Sequence, residues 1–416
     1  MSDVSPSLLD VESVRRDFPI LGKPLPKGRK LVYLDTGASA QKPRQAIDAE
    51  RDCYENFYAN AYRGAYYFGE RVSEELETTR STLCELLGAG SPQEIVFTSG
   101  TTAAVNLVAS GWGNKFLGPG DAVLINEMEH HANFVPWQQL AQRSRATLKF
   151  IPLTDDGRLD LDRLDDVLTP DVRLVAVTGM SNVLGTVNPV AEIARRAKQH
   201  GALVLVDGAQ SVPHRATDVE ELGVDFLTFS GHKIYGPSGV GVLWGKTEHL
   251  EAMAPILFGG HMVQQVTTTE STWMPPPAKF EAGTIPIAQA IALRAAVDYV
   301  AGLGFEAIEA HERAIVEYAI AKLLEVPGLR LLGPAAEHRG SIFSFTIEDA
   351  HPQDIAYILS RQGIAVRHGH HCTMPLHERL GISASTRASF GVYNTLEEVD
   401  ALVEGLMQVR KRLRLD

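Results

Sequence analysis

The chain has 416 residues, long for one domain and comfortable for two, and its 44% of hydrophobic residues suffice for sizeable cores. Lys and Arg number 39 against 51 Asp and Glu, a net charge of −12 with no basic tail or block, which argues against nucleic acid or an anionic membrane as the main partner. Three widely spaced cysteines, Cys53, Cys84 and Cys372, give no disulfide framework and fit a reducing compartment.

The N-terminal stretch carries acids early and no apolar core of signal-peptide length, and no run is long enough to span a bilayer. A cytoplasmic location is expected. From about residue 90 to 245 short apolar runs alternate with helical patterns. The runs are EIVFTS (94–99), AVLINE (122–127), TLKFIPL (147–153), RLVAVTG (173–179), ALVLVDG (202–208), FLTFSG (226–231) and VGVLWG (240–245). Several are apolar at consecutive positions, as in strands covered on both faces. Between them lie helix-like stretches such as TAAVNLVASGW and PVAEIARRAKQHG, the second opening on Pro and closing on Gly. This alternation predicts an α/β layer fold around a mostly parallel, seven-stranded sheet.

Residues 259–280, with MPPPAKF, read as an irregular excursion. After FEAGTIP (280–286) come two long helical patterns, 287–303 and 305–326, then the alternating SIFSFTI and GIAVRHG, and a last helix in EEVDALVEGLMQVRKRL. The change predicts a smaller α+β domain joined by the N-terminal helix: 22–290 large, 1–21 and 291–416 small.

In α/β sheets ligands collect where strands end and helices begin. VFTSGTTAAVNL turns through Gly100 into a helix opening on Thr101 and Thr102, two hydroxyls beside free N–H groups, a cradle for phosphate. On their own, the threonines are better explained by ordinary N-capping. ALVLVDGAQS drives Asp207 to the end of an apolar strand, where a carboxylate needs a cation or a protonated ring nitrogen; a simple DG turn is the competing account. In FSGHKIYGPSGVG, His232 and Lys233 follow a strand and precede a glycine-rich hairpin. A lysine there can have a lowered pKa and form a Schiff base with an aldehyde cofactor, although a lone lysine is as easily a snorkelling surface residue. Ser230 and His232 add phosphate donors. A Schiff-base lysine, a carboxylate for a pyridinium nitrogen and an anion cradle together point to pyridoxal phosphate. In NEMEHHANFVPW, His130 stands just past another strand end, where an imidazole can stack on the ring.

RHGHHCTMPL (367–376) sets Cys372 among His368, His370 and His371. A metal site needs three or four convergent ligands, adjacent His and Cys rarely converge, and no second cluster with ligand spacing exists, so no metal is expected. A structural thiol is the stronger alternative, since free cysteines are usually buried. The lysine constellation favours a nucleophile. Cys53 and Cys84 lie in helical patterns and read as structural.

These stretches, with YLDTGASAQKP, SNVLGTVNP, VDGAQSVPH, FEAGT, VRHGHHCTMPL and RASFGVYNT, run in order from about 32 to 395. Together they make the chain resemble the class V aminotransferase family of fold-type I pyridoxal-phosphate enzymes, and more narrowly the Suf-type (group II) cysteine desulfurases. The HHC loop with RAS and YNT narrows the likeness. The resemblance implies that Lys233 holds the cofactor and moves the substrate α-proton, Asp207 pairs with the pyridinium nitrogen, His130 stacks on the ring and Gln210 bonds the phenolic oxygen. Thr101, Thr102, Ser230 and His232 would hold the phosphate, with Thr284 reaching in from a second subunit of a homodimer. Arg387 would clamp the carboxylate of L-cysteine as a bidentate fork, supported by Asn182, which also touches the cofactor, and Arg367 would line the mouth near Cys372. The Cys372 thiolate, favoured by Arg367 and the histidines, would take the substrate sulfur as a persulfide, leave alanine, and pass sulfur to a small Suf-type acceptor protein for iron–sulfur cluster assembly. Selenocysteine lyase and cysteine sulfinate desulfinase share this scaffold, and a non-catalytic cofactor-binding scaffold is the reading of another class. Group II members often carry a histidine before an Arg–Gly pair near the entrance; Tyr62 stands there in AYRGAYYFG.

Overall fold

Each of the seven apolar runs forms a strand of one sheet. In the computed structural model, which describes residues 9–415, β1 (Val32–Tyr33) stands apart from that sheet. Residues 1–8 and 416, assigned above to the smaller domain, lie outside the described residues. The strands β2 (Ile95–Thr98), β3 (Ala122–Asn126), β4 (Thr147–Ile151), β5 (Val172–Thr178), β6 (Leu203–Asp207), β7 (Phe226–Ser230) and β8 (Gly241–Gly245) lie in the order β2-β8-β7-β6-β5-β3-β4. Neighbours from β7 to β4 pair in parallel, and only β8 runs antiparallel to both of its neighbours. The reversal follows from the short glycine-rich return after β7, since a parallel partner needs a long crossover.

Side chains alternate between the two faces of a strand, and both faces are buried. Val204 and Val206 of β6 join one core with Val177 and Trp244, while Leu205 between them joins another with Ala176 and Leu243. Helices Tyr67–Leu86, Val190–Gln199 and Ile287–Leu303 cover the first core, and Thr101–Val108 with Val135–Ser144 cover the second. At the edge, β4 exposes Thr147 and Phe150, and its half-buried Lys149 pairs with Asp171 at 2.9 Å, a charge that discourages further strand pairing.

The 259–280 excursion differs from its expectation. It holds an exposed hairpin, β9 (Val263–Val266) and β10 (Ser271–Trp273). Strands of four and three residues with no buried face leave no hydrophobic period to detect. Beyond it, β11 (Leu329–Leu332), β12 (Ile342–Ile347), β14 (Arg367–Gly369) and β15 (Ser385–Ser389) form an antiparallel sheet in the order β11-β12-β15-β14, and β13 (Ile364–Ala365) pairs in parallel with β1. Helices Phe305–Leu323, Pro352–Ser360 and Leu396–Leu413 cover this sheet; the last begins with a Thr395/Glu398 capping box.

Two joins deserve note. The 290/291 break falls inside the continuous helix Ile287–Leu303, whose apolar face packs in the large core. Val32 and Leu34, numbered with the large domain, are buried in the smaller sheet's core with Phe343 and Ile364. The chain therefore crosses between the two cores at 34–40 as well as near 300.

A buried ion pair braces the sheet beside the first strand. Arg80 donates to both carboxylate oxygens of Glu281 at 2.9 Å each and to Ile95 O at 2.7 Å, and Phe97 N donates to Glu281 Oε1 at 2.7 Å. Breaking such a pair leaves a buried charge without compensation. Glu281→Ala should lower stability by about 3–5 kcal/mol, measured as a fall in the urea unfolding midpoint; an unchanged midpoint would show that Arg80 finds another acceptor or water.

Candidate active site

Five strands, β2, β3, β5, β6 and β7, end beside one cavity of about 220 Å³. After β2 the chain turns through Gly100, whose φ of 142° favours glycine, into the helix opening on Thr101. A Cβ on Gly241 of β8 would come within 2.4 Å of Gly100 Cα, so the neighbouring strand packs tightly against this turn. Thr101 N donates to Ser230 Oγ at 2.9 Å, and Ser230 Oγ donates to Thr101 Oγ1 at 3.0 Å. Two hydroxyls from separate strand ends thus meet at a helix N-terminus, an arrangement suited to an anion.

Asp207 ends β6 and is buried, with Oδ1 accepting from Ala209 N at 2.9 Å. Burial pushes its pKa up, and the nearby Lys233 pulls it down. Lys233 feels the converse: burial lowers its pKa to about 8 against the opposing pull of Asp207. Each group offsets part of the other's lost hydration. His130 Nδ1 accepts from Ala132 N at 3.0 Å, which leaves its proton on Nε2. Burial, then the charges of Lys233, His131 and Arg387, lower the His130 pKa to about 3, so the ring is neutral at physiological pH. His232, beside the lysine, is likewise lowered to about 4 by burial and by Lys233.

Arg387 of β15 enters from the smaller sheet and is 3% exposed. It donates to Asn182 O at 2.9 Å and to Asp35 Oδ1 at 3.2 Å, and its Nε is buried with no hydrogen-bond partner. A guanidinium with an unused donor beside a cavity can take a carboxylate. Arg367 of β14, half exposed, reaches the other oxygen of Asp35 at 3.3 Å.

Cys372 is exposed and lines the same cavity. It and His371 both adopt left-handed backbone, with φ of 57° and 50°, which costs non-glycine residues about 1–2 kcal/mol each. Three contacts hold them there: Asn182 Nδ2 donates to His371 O at 2.8 Å, His131 N donates to Cys372 O at 2.7 Å, and Met374 N donates to His131 Nε2 at 3.1 Å. His371 faces Ser385 at 3.1 Å, and burial lowers its pKa to about 2, so it is a neutral packing group. Cys53 and Cys84 are buried.

Of the residues singled out from sequence, Lys233, Cys372, His130, Asp207, Thr101, Thr102, Ser230, His232, Asn182, Arg387 and Arg367 line this cavity. Gln210 stands behind its wall, with Nε2 donating to Gly37 O at 2.6 Å. Thr284 lies in a separate cleft with Asn60, Tyr62, Arg63 and His261. Sequence reasoning passed over Asp35, His131 and Glu129. Glu129 is buried and accepts from Asn133 Nδ2 at 2.7 Å and Thr178 N at 2.8 Å, anchoring the turn that carries His130. The signal for Asp35 was present in YLDTG, an acid at the end of an apolar stretch as in VLVDG.

A buried amine, a carboxylate facing it, a neutral imidazole and a hydroxyl cradle fit the aldehyde, ring nitrogen, ring face and phosphate of pyridoxal phosphate. The family model described as Aminotransferase class-V matches residues 32–402. A probable cysteine desulfurase of Streptomyces coelicolor is 50% identical over 410 residues, covering 97% of this chain and 98% of that protein. A cysteine desulfurase of Dickeya dadantii is 50% identical over 404 residues, covering 97% of each. Among solved structures, the Escherichia coli cysteine desulfurase CsdA in its S-sulfonic acid form matches with a TM-score of 0.90 at 36% identity, over 97% of this chain and 99% of that one.

The lowered pKa of Lys233 has a measurable consequence. Its reactive form is the neutral amine, so reloading of cofactor-free protein with pyridoxal phosphate should accelerate as pH rises through about 8 and level off above it. Stopped-flow absorbance would follow the rate; a rate still climbing steeply near the ordinary lysine value of 10.5 would show that burial does not depress this amine.

Proposed function

The chain belongs to the class-V aminotransferase family and is a pyridoxal-phosphate-dependent cysteine desulfurase, and from that premise we propose that it works through a persulfide on Cys372. The observation that carries this reading is that Lys233, Asp207, Arg387 and Cys372, drawn from both sheets, line one cavity. A module that only bound partners would have no physical need for all four.

In this reading the cofactor, when bound, withdraws electrons from the substrate's α-carbon and makes its proton acidic. Lys233 would hold the cofactor, and its neutral amine would take the α-proton of the substrate. Asp207 would keep the ring nitrogen protonated, His130 would face the ring, and Thr101, Thr102, Ser230 and His232 would hold the phosphate. Arg387 takes the carboxylate of L-cysteine, with Asn182 fixing its NH1 side and Arg367 at the mouth. The Cys372 thiolate attacks the substrate sulfur; the C–S bond breaks with its electron pair going to the β-carbon, which is protonated to give alanine. Sulfur is left as a persulfide on Cys372, so one S–S bond replaces one C–S bond and no outside oxidant is needed.

The finer assignment is to the Suf-type (group II) desulfurases, working in the cytoplasm and passing sulfur to a small acceptor protein for iron–sulfur cluster assembly. The loop supports an acceptor that comes to the site, because Cys372 is braced by Asn182 and His131 rather than carried on a long tether. No helix of the described residues is long and apolar enough to cross a membrane. Two units, with the second boundary moved past the helix Ile287–Leu303 and residues 32–34 joined to the smaller one, would close on the cavity. A homodimer is supported by the aromatic strip of Tyr54, Tyr58, Tyr66, Tyr67 and Phe68, all exposed. Thr284 and Gln210, both outside the cavity's lining in this chain, would act on the cofactor from the partner subunit and from the wall respectively.

Persulfide trapping tests the reading. Incubation with L-cysteine, alkylation and peptide mass spectrometry should find one extra sulfur on Cys372, formed in step with alanine. Alanine without modified Cys372 would point to a lyase that does not use the thiol. In Cys372→Ala, desulfuration of cysteine should fall by at least about a hundredfold while selenium release from selenocysteine persists; equal loss of both would remove the selenocysteine lyase alternative.

A further inference from the structure

A second cavity, of about 230 Å³, opens between loops of the large sheet and the helix Phe305–Leu323 of the smaller one, and it shares no lining residue with the first. Met180, two residues past β5, and His214 and Arg215, beyond β6, form one wall. Glu309, Glu312 and Arg313 of the helix form the other, and Arg339, three residues before β12, closes it. Arg339 is tied to the large sheet's side by an isolated bridge to Thr186, and Gly340 N donates to Gly185 O at 2.9 Å.

The charges in this cavity do not cancel. Its lining holds three guanidiniums, Arg215, Arg313 and Arg339, against two carboxylates, Glu309 and Glu312. Glu312 is buried and turned to His214, whose Nδ1 lies 2.5 Å from its Oε1. None of the three arginines makes an ion pair among the described residues. Arg339 is the sharpest case. It is 3% exposed, and its Nε, NH1 and NH2 donate to the carbonyls of Pro334, Ile342 and Leu332 at 2.8, 3.3 and 2.6 Å. Those bonds use three of a guanidinium's five donors, and no acceptor among them carries a charge. Burial lowers the Arg339 pKa to about 10, with no carboxylate close enough to oppose the fall. A buried cation is costly without an anion beside it, and what lies beside this one is a cavity.

We propose that this cavity is a binding site for a small oxyanion, a carboxylate or a phosphoryl group, held by Arg339 from within and by Arg215 and Arg313 from the two walls. Planar guanidinium forks match the oxygens of either anion. The bound anion joins the helix Phe305–Leu323 to the loop after β6, and by binding only the folded chain it stabilises that chain.

The test is calorimetric titration of the holoenzyme, in which the cofactor fills the phosphate cradle, at fixed ionic strength with inorganic phosphate and, separately, with acetate. At least one of the two should bind saturably with a Kd of about 1 mM or tighter, and the tighter one identifies the class of anion. Arg313→Ala and Arg215→Ala should each weaken that Kd about tenfold, the loss of one charge-assisted hydrogen bond. Arg313 is exposed and Arg215 half-buried, so both variants should fold where replacement of the buried Arg339 need not. Arg163→Ala, which removes an exposed arginine paired with Asp166 elsewhere on the surface, should leave the Kd within about twofold, since a distant exposed charge is screened. The proposal is overturned if neither anion binds saturably or if Arg313→Ala and Arg215→Ala both keep the parent Kd. It is equally overturned if binding is lost in Arg387→Ala and kept in Arg313→Ala, which would place the anion at the substrate site.

Discussion

An ammonium group at the end of a buried strand loses much of its hydration, and at Lys233 that loss is opposed chiefly by Asp207. Asp207 ends β6, and Lys233 sits in the turn three residues past the end of β7, the strand that pairs in parallel with β6. The sheet must therefore be dry on both faces, and regular in register, for the lysine to remain partly neutral near pH 8. The two large cores that flank β6 are what make this possible. Were the turn after β7 open to water, the pair would be hydrated and the lysine returned toward its ordinary value.

A second constraint is that the smaller sheet must deliver Arg387 and Cys372 to the same cavity. The crossing segment does this with main-chain and side-chain bonds from residues spaced along 35–42. Asp35 holds the arginines, Gly37 accepts from Gln210 and donates to Ser389, and Ala40 N donates to His232 O at 3.0 Å. Lys42 adds a bond to the same His232 carbonyl at 3.1 Å, with its own pKa lowered to about 8 by burial. Gln210 is thereby tied to the strap, which explains why it stands behind the wall. Its amide serves the backbone that shapes the cavity.

Much of this was legible because the strand ends carry residue types that a sheet rarely tolerates there. Asp207 and Lys233 stand out against apolar runs, and all seven strands could be placed from their periodicity alone. The hairpin of 263–273 could not, since exposed polar strands have no buried face to impose a pattern. The domain break was blurred for a related reason: the helix Ile287–Leu303 is apolar nearly all round, as a helix buried between units is, so it gives no boundary signal. Asp35 itself was visible in YLDTG, but its contact with two arginines was not, because that depends on a register between β14 and β15, and register is a tertiary fact.

The cysteine loop shows how rigidity and delivery are reconciled. Two successive non-glycine residues in left-handed backbone store strain of about 1–2 kcal/mol each, and they persist only because surrounding bonds over-determine them. Those bonds come from two elements that also contact the catalytic chemistry: Asn182 joins the His371 carbonyl to the Arg387 guanidinium, and His131 follows His130 directly. Cys372 is consequently held by Asn182, which also holds Arg387, and by His131, the neighbour of His130. Such coupling favours a thiol held at fixed distance from the sulfur it must attack, where a displacement of about 1 Å can cost a hundredfold in rate. Cys372 is exposed at the mouth of the cavity on this braced loop, so its thiol is accessible without the loop unfolding.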